Sequence, residues 1–114
     1  VVAECGGMIY LSRSLKNRQG DKTYRMSGVL PLDCTMQNAR LHLGYRKMDM
    51  AGEEWRGHEF HYSDMVCPDA CPSIAVLQNA KGMEVKTPIY RYKNVIAGYT
   101  HWYWGEKNIM DLWN

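Results

Sequence analysis

The chain has no long apolar run, almost no net charge and a single phenylalanine. No stretch approaches the roughly 20 apolar residues that a helix needs to cross a bilayer. The first residues lack the basic segment and apolar core of a signal peptide. With 14 Lys and Arg against 12 Asp and Glu, the formal charge is only +2. Acids and bases are interspersed, so neither a basic nucleic-acid surface nor an acidic tail is indicated. There is no internal repeat, no low-complexity segment and no phosphate loop of the form G-x-x-x-x-G-K-[ST]. The four cysteines, Cys5, Cys34, Cys67 and Cys71, are too few for a disulfide scaffold in a chain without an export signal. Reduced thiols and a cytoplasmic location are therefore expected.

What is present suits one globular unit. At 114 residues and 46% apolar composition, the chain is long enough for one hydrophobic core. Eight Tyr, eight Met and four Trp indicate a core and site rich in aromatic groups with polar handles. The opening Val-Val-Ala-Glu-Cys-Gly-Gly reads as the end of a buried strand running into a tight turn. With no initiator Met, it suggests a piece of a longer domain.

Further along, Met8, Leu11 and Leu15 recur at helical spacing, predicting a short helix that ends near Arg18 to Gly20. Residues 23–32 are β-like, interrupted by Gly28 and Pro31. Leu41, Leu43 and Tyr45 alternate with His42, Gly44 and Arg46, predicting a half-buried strand. A turn at residues 52–54 leads to a strand over 55–63, with His58, Phe60 and Tyr62 on one face and Glu59, His61 and Ser63 on the other. Residues 64–73, with two prolines and two cysteines, read as a loop. Strands follow over 74–79, 85–92 and 95–104, and a short helix over 106–113. The result is strand-rich with a helix near each end.

Cys5 stands between a strand and a helix start. There, unpaired N–H groups and the helix dipole favour a thiolate. The turn exposes the side chain as a nucleophile elbow does. Gly6 leaves its N–H free to approach a developing oxyanion, and Gly7 lets helix and strand pack closely. The chemistry this suits is acyl transfer through a thioester. From local features alone, a structural cysteine in a glycine turn is the commoner case. A base is also needed, and the candidates are His42, His58, His61 and His101. A distant His on a strand, such as His101 in Tyr99-Thr100-His101-Trp102-Tyr103, fits a pair assembled by the fold.

A zinc site is the alternative, built from Cys67 and Cys71 with His58 and His61 just upstream. The spacing of the two histidines on one strand points them to opposite faces, which argues against a shared ion. A loop with free thiols, or a local disulfide, accounts for the cysteines more simply. No metal ligands are assigned.

Five segments carry a resemblance: Glu4 to Leu11, Gly28 to Pro31, Arg40 to Tyr45, Arg56 to Ser63 and Ala97 to His101. In this order they resemble the C-terminal part of cobyrinic acid a,c-diamide synthases, within a glutamine amidotransferase domain of the cobyric-acid-synthase type. The Glu-Cys-Gly-Gly and Gly-His-Glu-Phe-His-Tyr-Ser motifs are the specific ones, and the match covers nearly the whole chain.

The resemblance implies an α/β fold: residues 1–114 as the C-terminal portion of one glutamine amidotransferase domain, a strand-rich fragment of a three-layer class I amidotransferase-like architecture. It implies Cys5 as nucleophile, His101 as its base, Gly6 as oxyanion donor, and His58, Tyr62 and Ser63 beside the glutamine pocket. It implies glutamine as substrate and ammonia delivered to a synthetase domain outside this chain. There ATP and Mg²⁺ activate the a and c carboxylates of a tetrapyrrole acceptor in cobalamin biosynthesis. No cofactor is expected on this piece. The acceptor stays open among cobyrinate, hydrogenobyrinate and nickel-sirohydrochlorin, and a non-catalytic interaction module stays open for the isolated chain. Many class I amidotransferases carry a Glu two residues after the histidine. Here Tyr103 stands there, so what orients His101 is unassigned. A piece of this kind also leaves a sheet edge or apolar face for another chain, such as a second copy in a homo-oligomer.

Overall fold

Val2–Glu4 form the first strand, β1, and the chain then turns at Cys5 into a six-residue α-helix, α1, Gly6–Leu11. The computed structural model describes residues 1–50, 52–66, 72–105 and 107–113. Cys67 and Cys71 therefore lie outside the described residues.

The helix is shorter than the Met8–Leu11–Leu15 spacing predicts. Ser12 is extended, with ψ 172°, and its hydroxyl donates back to the Ile9 carbonyl at 2.6 Å. Arg13 then donates its N–H to Leu32 at 2.8 Å, which starts strand pairing instead of another helical turn. Leu15 belongs to β2, Ser14–Lys16. Its neighbours are β3, Thr23–Arg25, antiparallel, and β4, Asp33–Thr35, parallel. The Arg13 guanidinium and the Ser14 hydroxyl both donate to Asp33, at 2.6 and 2.8 Å, and clamp β2 to β4. That pairing outweighs the short helical pattern, as tertiary contacts commonly do.

The two long strands match expectation in place. β5, His42–Met50, pairs antiparallel with β6, Glu53–His61, in a register that sets Tyr45 against His58 and Leu43 against Phe60. Their faces are less conventional. On β6 the inward residues are Trp55, Gly57, Glu59 and His61, and on β5 they are Arg46, Met48 and Met50. Leu43 and Phe60 face outward, 59% and 49% exposed, so the half-buried strand buries its polar alternation at this end. The reason is charge pairing. Arg46 Nε donates to Glu59 Oε1 at 2.6 Å, across the diagonal of the ladder. The Thr87 hydroxyl and the His61 ring take the other carboxylate oxygen.

The expected loop after Ser63 contains a strand, β7, Asp64–Val66, which closes the four-stranded sheet β3-β2-β4-β7. Each remaining strand is shorter than expected. β8, Leu77–Gln78, and β9, Glu84–Val85, extend the β5–β6 sheet. The chain breaks around Pro88, which has no N–H for a ladder, before β10, Ile89–Tyr92. The segment expected as one strand over 95–104 is two, β11, Val95–Gly98, and β12, His101–Trp102, in different sheets. β11 pairs parallel with β1 and antiparallel with β10, while β12 pairs with β6. A 3-10 helix, Ile109–Trp113, stands where the terminal helix was expected.

β11 is buried on both faces, which explains its unbroken apolar run. On one side Val95 and Ala97 join Ala3, Met8, Leu30, Leu32, Tyr90 and Tyr99. On the other, Ile96 joins Met48, Trp55, Leu77, Ile89 and Trp102. The architecture is strand-rich, with mixed sheets, and no helix among the described residues is long and apolar enough to cross a membrane.

Burial pushes the Glu59 carboxyl up, but hydrogen bonds from His61, Thr87 and Arg46 outweigh it and hold the group at about 2. Its folded value lies below the ordinary 4.5, so its contribution to stability is complete above pH 4.5 and is lost as pH falls towards about 2. Glu59→Gln should cost about 3–5 kcal/mol at neutral pH, because it strands the Arg46 charge. It should also flatten the dependence of stability on pH across that window. Urea unfolding at several acidic pH values measures both.

Candidate active site

Cys5 has φ 49° and ψ −108°, a conformation that L-residues rarely adopt. The fold holds it from both sides. The Cys5 N–H donates to the Gly98 carbonyl at 2.8 Å, extending the β1–β11 ladder, and its carbonyl accepts from Ile9 at 3.1 Å in the first turn of α1. Strand, strained residue and helix make a nucleophile elbow. The thiol is half-buried and donates to the Phe60 carbonyl of β6 at 3.7 Å.

The expected electropositive setting is realised only in part. Burial pushes the Cys5 thiol up from its ordinary value, and the neighbouring Cys34, Glu4 and Glu59 add to this. The Gly6 N–H, turned towards the sulfur, pulls the other way and loses. At neutral pH the resting group is a thiol, and an acceptor for its proton is required. The Gly6 position is open: a Cβ there would meet no atom within 4 Å. At Gly7 a Cβ would meet Ala3 at an ordinary 3.7 Å, so the close packing expected there is loose enough for a methyl group.

The histidines fall into two stacked pairs. His58 and His101 are register partners on β6 and β12, with ring centroids 5.0 Å apart and planes 13° apart. His101 Nδ1 lies 3.9 Å from Glu4 Oε2, which puts this pair at the residue before the nucleophile. His42 and His61 stack at 4.6 Å on the other side of β6, within the Glu59 network. Strand alternation separates the pairs by the thickness of a backbone, so His58 and His61 diverge as the spacing predicted.

Tyr62 is 43% exposed and packs edge-on against Phe60. Ser63 is instead interior, sharing a 2.8 Å hydrogen bond with the Tyr99 hydroxyl. The Tyr99 ring stacks on His61, and burial pushes its phenol upward, so it stays protonated. Ser63 thus sits with the structural network, apart from the pair at Glu4.

His42, Glu59 and His61 place candidate ligand atoms within 4.8 Å of one another. The Glu59 oxygens there are already engaged by Arg46, His61 and Thr87, and the Arg46 guanidinium supplies the compensating charge. Sequence reasoning did not anticipate this network. Its only trace is a charged residue at an inward position on each long strand.

Two further contributors went unrecognised. Glu4 was visible only as part of a motif. Gly57 matters because β12 lies directly on it: a Cβ would run into the His101 carbonyl oxygen and come within 2.8 Å of Thr100.

The elbow cysteine thus follows directly on Glu4, the residue whose carboxylate His101 of β12 approaches at 3.9 Å. The chain belongs to the CobB/CobQ-like glutamine amidotransferase domain family, whose model matches residues 1–109. It is 34% identical over 115 residues to a cobyrinate a,c-diamide synthase of Dehalococcoides mccartyi, covering 92% of this chain and 25% of that protein. It is 39% identical over 110 residues to a protein of the same name from Fusobacterium nucleatum, covering 89% and 23%. It is also 32% identical over 106 residues to a hydrogenobyrinate a,c-diamide synthase of Rhizobium meliloti, covering 89% and 24%. The chain thus spans about a quarter of the length of these relatives.

Gly57→Ala should lower stability by about 1–3 kcal/mol through overpacking and displace β12. Alkylation of Cys5 by iodoacetamide, followed by mass spectrometry, should then proceed at an altered rate. An unchanged rate with unchanged stability would show that the contact is easily relieved.

Proposed function

We propose that this chain hydrolyses glutamine through Cys5 and His101 and supplies the ammonia to a synthetase domain outside it. The observation that carries the reading is the strained Cys5 elbow, with His101 brought beside the preceding residue by β12. His101 takes the thiol proton as the sulfur attacks the side-chain amide carbon of glutamine. The Gly6 N–H is one oxyanion donor, and a loop outside this chain supplies the second. Collapse of the tetrahedral intermediate expels ammonia, to which His101 returns the proton, and leaves a glutamyl thioester. Water, deprotonated by His101, then releases glutamate and restores the thiol.

His58 lines this site on the outward face of β6, and Tyr62 stands further along the same exposed edge. We assign both to substrate contact. Ser63 supports them from the interior. The enclosing architecture in this reading is a three-layer class I amidotransferase-like domain, of which residues 1–114 are the C-terminal portion.

The names of the relatives suggest the acceptor. The a and c carboxylates of cobyrinic acid become amides in an ATP- and Mg²⁺-dependent step of cobalamin biosynthesis in the cytoplasm. This chain has no phosphate loop of the usual form, and none of its residues is assigned to ATP or Mg²⁺. Hydrogenobyrinate is the second acceptor that a relative's name supports.

In the full-length protein, Cys5→Ala should reduce glutamine-dependent amidation on the order of 10⁴-fold or more. Activity with free ammonium should survive, because ammonia bypasses the thiol. Steady-state assays with each nitrogen source decide it, and undiminished glutamine use by Cys5→Ala overturns the assignment.

A further inference from the structure

We propose that Glu4 is the positioning residue for His101, holding the imidazole by its Nδ1 edge so that Nε2 is left to take the Cys5 proton. This rests on the reading of Cys5 and His101 as a glutaminase pair and adds the member that the sequence leaves open. The residue two beyond the histidine is Tyr103, whose ring lies 6.0 Å from that of His58 and carries no carboxylate.

Strand geometry puts Glu4 in the right place. On β1, Ala3 points into the first core cluster, so Val2 and Glu4 share the opposite face, where Val2 packs against the cluster containing Trp102. The Trp102 N–H donates to Glu4 Oε1 at 3.3 Å, fixing the carboxylate against β12. The second oxygen, Oε2, is then the one that faces His101 Nδ1, at 3.9 Å. One carboxylate thus anchors to the backbone of residue 102 and presents its free oxygen to the ring of residue 101. At 3.9 Å the contact is too long for a hydrogen bond, and it is an ion pair only when the ring is protonated. Catalytic hydrogen bonds are often this loose before substrate arrives and shorten in the reacting complex.

The chemistry follows from the geometry. A carboxylate at Nδ1 favours the tautomer with its proton on that nitrogen, leaving the Nε2 lone pair for the thiol. When Nε2 takes the proton, the ring becomes a cation and Glu4 stabilises it without itself accepting a proton. Burial pushes the Glu4 carboxyl up, while the Trp102 N–H and the nearby His101 and His58 pull it down. The titratable groups around His101 are Glu4 on β1 and His58 on β6, with Tyr103 beside His58. His58 stacks on the ring, whereas Glu4 meets its nitrogen edge, so the two are experimentally separable.

The test uses glutaminase kinetics of the full-length protein bearing Glu4→Gln, Glu4→Asp, His58→Asn and Cys5→Ala. Glu4→Gln should lower kcat on the order of 10²-fold while KM changes little. Its acid limb in the kcat/KM profile should move to lower pH, because the imidazolium has lost its counter-charge. That limb should persist in His58→Asn. Glu4→Asp, which keeps the charge, should recover most of the lost kcat and the original limb. A Glu4→Gln variant with unchanged kcat and pH profile overturns the proposal, as does a Glu4→Asp variant as impaired as Glu4→Gln. If Cys5→Ala retains glutamine turnover, the underlying reading fails instead.

Discussion

The parallel pairing of β1 with β11 is the constraint on which the site depends. Two parallel strands end at the same edge of a sheet. With Glu4 in register with Gly98, the residues that follow leave that edge side by side. One chain turns into the Cys5 elbow. The other crosses Tyr99 and Thr100 to reach His101. Parallel pairs need a long connection, and here it runs through most of the chain, which is how residues far apart in sequence meet. Gly98 lets the strands pack closely here: a Cβ would come within 2.6 Å of the end of the Ile89 side chain, which would have to shift, and within 3.3 Å of the Pro88 carbonyl oxygen.

β6 then acts as a partition. Its inward residues, Glu59 and His61, tie Arg46, Thr87, Ser63 and Tyr99 into one hydrogen-bonded network. A buried charge is costly unless every partner is in place, and here each Glu59 oxygen has one. The outward residues of the same strand are His58, beside His101, and Phe60, whose carbonyl receives the Cys5 thiol. A period of two residues thus keeps the buried charge network on one face of β6 and the stacked His58–His101 pair on the other. The outward surface continues through the exposed, directly paired Leu43 and Phe60.

Much of this was legible in the sequence, for identifiable reasons. Strict alternation marked β6 with its faces correctly separated, and β-branched residues before Gly-Gly marked β1 and the elbow. The misses share a cause. Leu15 continued a helical spacing, but Asp33 drew Ser14 into a sheet, and a partner that distant leaves no local trace. Residues 95–104 look like one strand because apolar and aromatic residues run through them, yet the chain changes sheets at Tyr99. Burial of Tyr99 against His61 explains the break, and only the tertiary fold reveals it. The inward polar residues of β5 were misleading for the converse reason: Arg46 belongs inside because Glu59 awaits it two positions from its register partner.

The backbone of the elbow adds an observation that the local signals lacked. A cysteine in a glycine turn is ordinarily structural, and a structural thiol has no need of a disfavoured backbone. Cys5 adopts φ 49° although Gly6, with open space around it, is the adjacent residue better able to bear strain. The conformation is thus imposed on the one residue whose side chain gains by being lifted off the sheet edge. Burial keeps that side chain a thiol, so reactivity passes to whatever removes its proton. The fold answers with β12, laid across Gly57 and hydrogen-bonded to Glu4, which delivers His101 to the end of the strand that carries the sulfur. What sets this thiol apart from an ordinary core cysteine such as Cys34 is its disfavoured backbone and the carboxylate next to it in sequence, which meets β12 at both residue 101 and residue 102.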